Sequence, residues 1–315
     1  MREWINTTLA GVKDGITSRH WPDRPHSINL EITSICDSKC IHCPRHEMDR
    51  PMKAMDFELF KKLVDQAAAL GVPEICPNGF GEVMTIKNLD PYFDYLSSRE
   101  HKFRIVINTN GFRMSEEKIE LLIKSKVYLL NICLDGATAA TAEAVRVNLK
   151  LDQIESNIAR LMQIRKERNL DYPRVRVGMV VIPQNRHEVE AFIEKWKGKV
   201  DFLGIDGYSN RAGSLTEKFG GPEPAAEAPP ATCVLPFKEL NIWSDGKAVI
   251  CCNDWNQELV IGDLTKQSLQ EIWHGEGARR VRELHREKRG NDLEICKKCN
   301  YWKTPSFGAR LWTVK

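Results

Sequence analysis

Between residues 27 and 210, short apolar runs alternate with longer stretches whose apolar positions recur every three or four residues. The runs at 27–33, 74–80, 103–109, 127–133, 174–182 and 200–205 read as strands. Several are almost unbroken Val/Ile/Leu, the pattern of parallel strands covered on both faces. The stretches between them read as helices. Phe60, Leu63, Val64 and Ala67 share one face, opened by an N-cap at Asp56 and closed by Gly71. Leu151, Ile154, Ile158, Leu161 and Met162 mark another. Six β-then-α units with right-handed crossovers build a doubly wound sheet or a barrel, and the pattern alone does not choose between them.

After Tyr208 the texture changes. Residues 213–232 are rich in Gly, Pro and Ala and read as a linker. Beyond them, 237–243 and 247–251 flank Ser244-Asp245-Gly246, a hairpin signal, and 268–273 and 278–287 have helical spacing. The basic run from Arg279 to Arg289 also carries Glu283 and Glu287, so it is expected to be a solvated helix face.

Composition narrows the function classes. A net charge of +3 is too small to imply a nucleic-acid partner. The first residues lack a signal-peptide apolar region and no stretch of 18 apolar residues occurs, so neither export nor membrane spanning is expected. Ten cysteines without an export signal then imply a reducing, cytoplasmic setting, where thiols serve as metal ligands or catalysts.

Three of them, Cys36-x3-Cys40-x2-Cys43, follow the first strand directly, at the end where α/β folds place active sites. Three thiolates on a four-iron cube leave one iron free to bind a substrate. Zinc, with His42 or His46 as the fourth ligand, is the alternative. Cys233, Cys251, Cys252, Cys296 and Cys299 all lie past the linker and supply four ligands and a spare thiol, which suits a second 4Fe-4S cluster or a structural zinc. Adjacent thiols in a strand point to opposite faces, so Cys251 and Cys252 do not both reach one cluster. Cys76 reads as a small buried hydrophobe.

The first triad, with His42 as the aromatic before its last cysteine, resembles the radical SAM (S-adenosylmethionine) superfamily. Matching pieces stand at successive strand ends: Gly79-Phe80-Gly81-Glu82, Thr109-Asn110-Gly111 and Cys133-Leu134-Asp135-Gly136, with Val83 where the family has proline and Cys133 where a ribose-binding serine is common. The resemblance implies an α/β fold, a partial (β/α)6 TIM-like barrel over 27–212 with an N-terminal extension at 1–26. It also implies a 4Fe-4S cluster on Cys36, Cys40 and Cys43 that cleaves S-adenosylmethionine to a 5′-deoxyadenosyl radical. His42, Gly81, Glu82, Asn110, Cys133 and Arg146 are the implied cofactor contacts, Glu82 for the methionine ammonium and Arg146, in the helix after the fourth strand, for its carboxylate.

The C-terminal text, from Cys233-x2-Pro236 through Ile261-Gly262-Asp263-Leu264 and Glu271-Ile272-Trp273 to Cys296-x2-Cys299, resembles the SPASM/twitch extension of that superfamily. That implies a small α+β auxiliary-cluster domain at 233–315, with Cys233, Cys251, Cys296 and Cys299 as ligands of one auxiliary cluster. The spacing is similar to the aminoglycoside dehydrogenase branch. The expected reaction is oxidation of a secondary alcohol of a sugar or aminocyclitol, with Asp254 as base and an external electron donor such as flavodoxin or ferredoxin. An epimerase using Cys252 as hydrogen donor is the alternative. Peptide maturation is a third reading, weakened by the short stretch before the first strand. A non-enzymatic metal scaffold would leave the strand-end motifs unexplained.

Overall fold

The computed structural model describes residues 22–219, 232–302 and the backbone of 310–313. The strands are β1 (Ser27–Leu30), β2 (Lys39–Cys40), β3 (Glu74–Cys76), β4 (Arg104–Thr109), β5 (Leu129–Cys133), β6 (Arg146–Val147), β7 (Arg174–Val181), β8 (Phe202–Gly207), β9 (Glu239–Ile242), β10 (Lys247–Val249), β11 (Val260–Asp263) and β12 (Arg310–Thr313). The helices are α1 (Phe57–Ala69), α2 (Asp90–Ser98), α3 (Glu116–Lys124), α4 (Ala139–Val145), α5 (Leu151–Glu167), α6 (Val189–Trp196), α7 (Thr216–Phe219), α8 (Leu235–Lys238), α9 (Leu269–Trp273), α10 (Glu276–Arg286) and α11 (Glu294–Lys297).

The six expected strands, β1, β3, β4, β5, β7 and β8, lie side by side and parallel. β1 does not meet β8, so the barrel stays open. At its β1 edge the sheet continues: β9 pairs with β1 in parallel, Ser27 opposite Glu239 and Leu30 opposite Ile242, and β10 and β11 follow antiparallel. The expected hairpin is there, with Gly246 at φ +86° in its turn. β12 closes the far edge against β8.

The convex face of the sheet is apolar. Ile28, Leu30, Ile75, Ile107, Leu130, Ile132, Val177, Met179 and Leu203 join the main core with Phe60, Phe93, Leu122, Leu161 and Phe192 from the helices. The alternate positions point into the barrel, where polar side chains stand beside Val106, Leu129 and Phe202. Asn29 Nδ2 donates to Asn241 Oδ1 at 2.8 Å, Asn131 Nδ2 to Asn108 Oδ1 at 2.9 Å and Asn108 Nδ2 to Cys76 Sγ at 3.3 Å. The expectation of strands apolar on both faces is thus corrected: helices cover one face, and the other lines a mostly polar lumen. Cys76 is buried as expected, but among amides.

Most of the expected N-terminal extension (1–21) and linker (220–231) lies outside the described residues. The first part of that linker is structured: Leu215 and Phe219 pack with Tyr208, Val145 and Ile182. The basic run is not wholly solvated either. Arg282 of α10 is fully buried, its guanidinium 3.8 Å over Trp273 and donating to the carbonyls of Pro236 and Trp273. Among the described residues no helix is long and apolar enough to cross a membrane.

Candidate active site

The Cys36–Cys43 loop leaves the barrel just past β1 and is pinned from several sides. Asp37 accepts from Asn110 Nδ2 at 2.8 Å and from Arg113 Nε at 2.7 Å. Arg45 Nη2 donates to the Ser38 carbonyl at 2.8 Å. Cys40 lies in β2, which pairs antiparallel with β6 so that Cys40 faces Arg146. Arg146 therefore opens a two-residue strand just after α4, and is not in a helix as expected. Its Nη2 meets Asp135 Oδ2 at 2.7 Å and its Nη1 reaches Cys40 Sγ at 3.6 Å. His42 Nε2 stands 3.4 Å from the same Asp135 oxygen. Burial lowers the His42 pKa to about 4, so the ring is neutral near pH 7.

The loops after β3 and β4 close on this one. A methyl group at Gly81 would sit 2.0 Å from the Thr33 carbonyl oxygen, so only glycine permits the approach. Glu82 is buried, and its carboxylate accepts from Met84 N at 3.0 Å, Thr109 Oγ1 at 2.8 Å and Asn110 N at 2.7 Å. It first ties the β3 and β4 loops together, and an ammonium would share oxygens already in use. Cys133, at the end of β5, has its thiol pKa raised by burial and lies within the electrostatic reach of Arg146, Asp135, Arg176 and Asp206.

The second group forms around a small apolar cavity of about 20 Å³ lined by Cys233, Cys251, Cys296 and Cys299, with Ile250, Leu235 and Trp302 beside them. Cys252 is not among its lining residues. Backbone N–H groups point at the sulfurs: Asn253 N to Cys251 at 3.3 Å and Tyr301 N to Cys299 at 3.4 Å. His285 Nε2 lies 3.4 Å from Cys296 Sγ. The thiol of Cys252 is pushed far up by its hydrogen bond with Cys251 and by burial, and the charges of Glu239 and Arg211 act on it. Asp254, the expected base, is buried and spends both oxygens on its own loop, accepting from Glu258 N at 2.7 Å and Leu259 N at 2.9 Å. A carboxylate so committed is ill placed to take a substrate proton.

Among the described residues no three His, Cys, Asp or Glu side chains lie close enough to grip a single ion. The fit to iron–sulfur clusters rests on the donor sets. Burial pushes the Cys36 thiol up to about 12 and raises Cys40 and Cys233, so bare thiolates are disfavoured until a cation replaces the proton. Near the first loop, His42 Nδ1 and Arg146 Nε are buried without a hydrogen-bond partner among the described residues, polar atoms that a bound cofactor can satisfy.

The sequence model of the radical SAM superfamily matches residues 30–195, more than half of the chain. The chain belongs to the radical SAM superfamily. The SPASM iron–sulfur cluster-binding model matches residues 233–300, so the cofactors are S-adenosylmethionine and two iron–sulfur clusters. A radical SAM relative from Niallia circulans, S-adenosyl-L-methionine-dependent 2-deoxy-scyllo-inosamine dehydrogenase, is 22% identical over 277 residues, 87% of this chain and 92% of its own. Mycofactocin maturase MftC of Mycolicibacterium smegmatis is 25% identical over 54% of this chain and 41% of its own. Among solved structures, BtrN in complex with AdoMet and 2-DOIA superposes with a TM-score of 0.65 at 21% identity, covering 90% of this chain and 97% of BtrN. SuiB from Streptococcus suis with its precursor peptide reaches 0.67 at 14% identity, over 95% and 74%.

Some residues at the site escaped sequence reasoning. Glu31 is wholly buried and takes both arms of Arg50, at 2.6 and 2.8 Å, as well as Phe80 N and Ser244 N. Its signal was a lone acid inside an apolar strand. Arg211, at φ +49°, lies over Phe80 and donates to Asn253 Oδ1 at 3.2 Å. Its charge acts on both His42 and Cys252. Nothing in the local pattern marks it, because both neighbours come from distant parts of the chain.

Proposed function

We propose that this radical SAM enzyme oxidises a secondary alcohol of a sugar or aminocyclitol-like small molecule. The observation that carries the reading is Arg211, which lies 5.6 Å over Phe80 in the loop after β3 and donates to Asn253 beside Cys252 at 3.2 Å, a contact from the loops around the first cysteine triad to the second cysteine group. The similarity to the inosamine dehydrogenase over nearly the whole of both chains supports the same reaction class. In this reading Cys36, Cys40 and Cys43 hold the first cluster, and Cys233, Cys251, Cys296 and Cys299 the second. When bound, these groups with S-adenosylmethionine supply a 5′-deoxyadenosyl radical for hydrogen abstraction and an acceptor for the second electron. The polypeptide orients the alcohol between them and excludes water. A flavodoxin- or ferredoxin-type donor in a reducing cytoplasm provides the first electron, and neither nucleic acid nor membrane takes part.

The test is anaerobic incubation of reconstituted protein with reductant, S-adenosylmethionine and 2-deoxy-scyllo-inosamine. The expected outcome is 5′-deoxyadenosine with a product two hydrogens lighter than substrate. A specific observation favours a second reading, epimerisation: Cys252 does not line the cavity that Cys233, Cys251, Cys296 and Cys299 share. In D2O an epimerase would give a product of unchanged oxidation state carrying one deuterium, and Cys252→Ala would abolish it.

A further inference from the structure

We propose that Arg176 and Asp206 form a hydroxyl-binding floor of the substrate site inside the barrel. The inference rests on the alcohol-oxidising reading above. Both residues point into the lumen, since their neighbours Val177, Leu203 and Ile205 face the helices. Arg176 Nη2 donates to both Asp206 oxygens, at 2.9 and 2.6 Å. The sequence reserves space for this guanidinium. Gly178 and Gly204 face each other across β7 and β8, and a methyl group at Gly204 would come within 1.6 Å of Arg176 Nη2, one at Gly178 within 2.8 Å of Nη1.

The pair lies below the reaction space. Gly178, two residues after Arg176 on β7, pairs with Cys133 at the end of β5, so Arg176 lies two positions deeper along its strand than the Cys133 level. Three residues after Asp206, Ser209 bonds Asn253 of the second group at 3.0 Å. Only Nη2 of the guanidinium is engaged among the described residues, and the Asp206 side chain keeps 27% of its surface open. The remaining guanidinium donors can meet a hydroxyl oxygen while the carboxylate accepts a neighbouring O–H, a matched donor and acceptor suited to the adjacent hydroxyls of a polyol.

The experiment is calorimetric titration of reconstituted enzyme, with S-adenosylmethionine and no reductant so that nothing turns over. The ligands are scyllo-inositol, 2-deoxy-scyllo-inosamine and, as control, cyclohexanol. Wild type is expected to bind both cyclitols more tightly than cyclohexanol. Asp206→Asn and Gly204→Ala should each weaken both cyclitols about tenfold or more, with iron content and S-adenosylmethionine affinity unchanged. Unaltered cyclitol affinity in Asp206→Asn, a loss confined to the amine, or cyclohexanol binding as tightly as the cyclitols would each overturn the proposal. The dehydrogenase reading is judged separately by product mass, so the two failures are told apart.

Discussion

A buried ion pair is worth little in itself, but breaking one side of it leaves a charge stranded. Arg50 and Glu31 are such a pair, the Glu31 carboxylate taking four hydrogen bonds from three parts of the chain. Glu31→Gln should therefore destabilise the fold by about 3–5 kcal/mol, measured as a shift in urea midpoint, while Glu58→Gln on the surface should change it little. At Gly81 the obstacle is geometric. The Thr33 oxygen belongs to the backbone and cannot rotate away, so Gly81→Ala should yield folded protein that holds less iron on the first loop. Similar stability and iron in the alanine variant would show that the loop is laxer than this. At this scale the sequence was uneven. Cys36, Cys40 and Cys43 were readable because their spacing is local, whereas Arg50 and Glu31 are linked by 19 residues of chain without any periodic pattern.

Elements were easier to place than their faces. The six barrel strands fell within a few residues of their expected bounds, because runs of Val, Ile and Leu signal burial of the convex side. The polar lumen did not register, since strands of three to eight residues offer too few alternations to display it. Helix α10 carries the same lesson: its charge suggested a solvated face, but Trp273, nine residues earlier, receives the Arg282 guanidinium. Arg282→Ala should cost about 3 kcal/mol or more by leaving two carbonyls unpaired beside a void, against less than about 0.5 for exposed Arg279→Ala. The β10–β11 pair gives a pH test. Lys247 and Thr265 hold the Asp263 carboxyl at about 2, below its ordinary 3.8. A carboxyl lowered in the folded state adds stability above its unfolded value and loses it as pH falls through the folded one. The gap in urea midpoint between wild type and Asp263→Asn should therefore be full above about pH 4 and close towards pH 2. A gap that stays constant across that window would mean the pairing contributes nothing.

For the whole molecule the decisive feature is the parallel pairing of β9 with β1. It makes the C-terminal cysteine unit part of the barrel's own sheet, and Glu31 N bonds Ile242 O at 2.8 Å while Arg50 Nε reaches Trp255 O at 2.8 Å across the same seam. Removing that unit would expose the unpaired edge of β1, the strand that delivers the first cysteine loop, and strand the Glu31–Arg50 pair beside solvent. Removing only the second cluster would not. Two changes that both abolish the auxiliary cluster should thus behave differently. Cys296→Ala with Cys299→Ala should leave soluble protein with about half the iron and continued reductive cleavage of S-adenosylmethionine. A chain ending at residue 219 should aggregate or lose the first cluster as well. Should the shortened chain stay soluble and cleave S-adenosylmethionine as the double variant does, the shared sheet would be a contact of convenience. The two cysteine groups would then be independent units, with no common wall to hold a substrate between them.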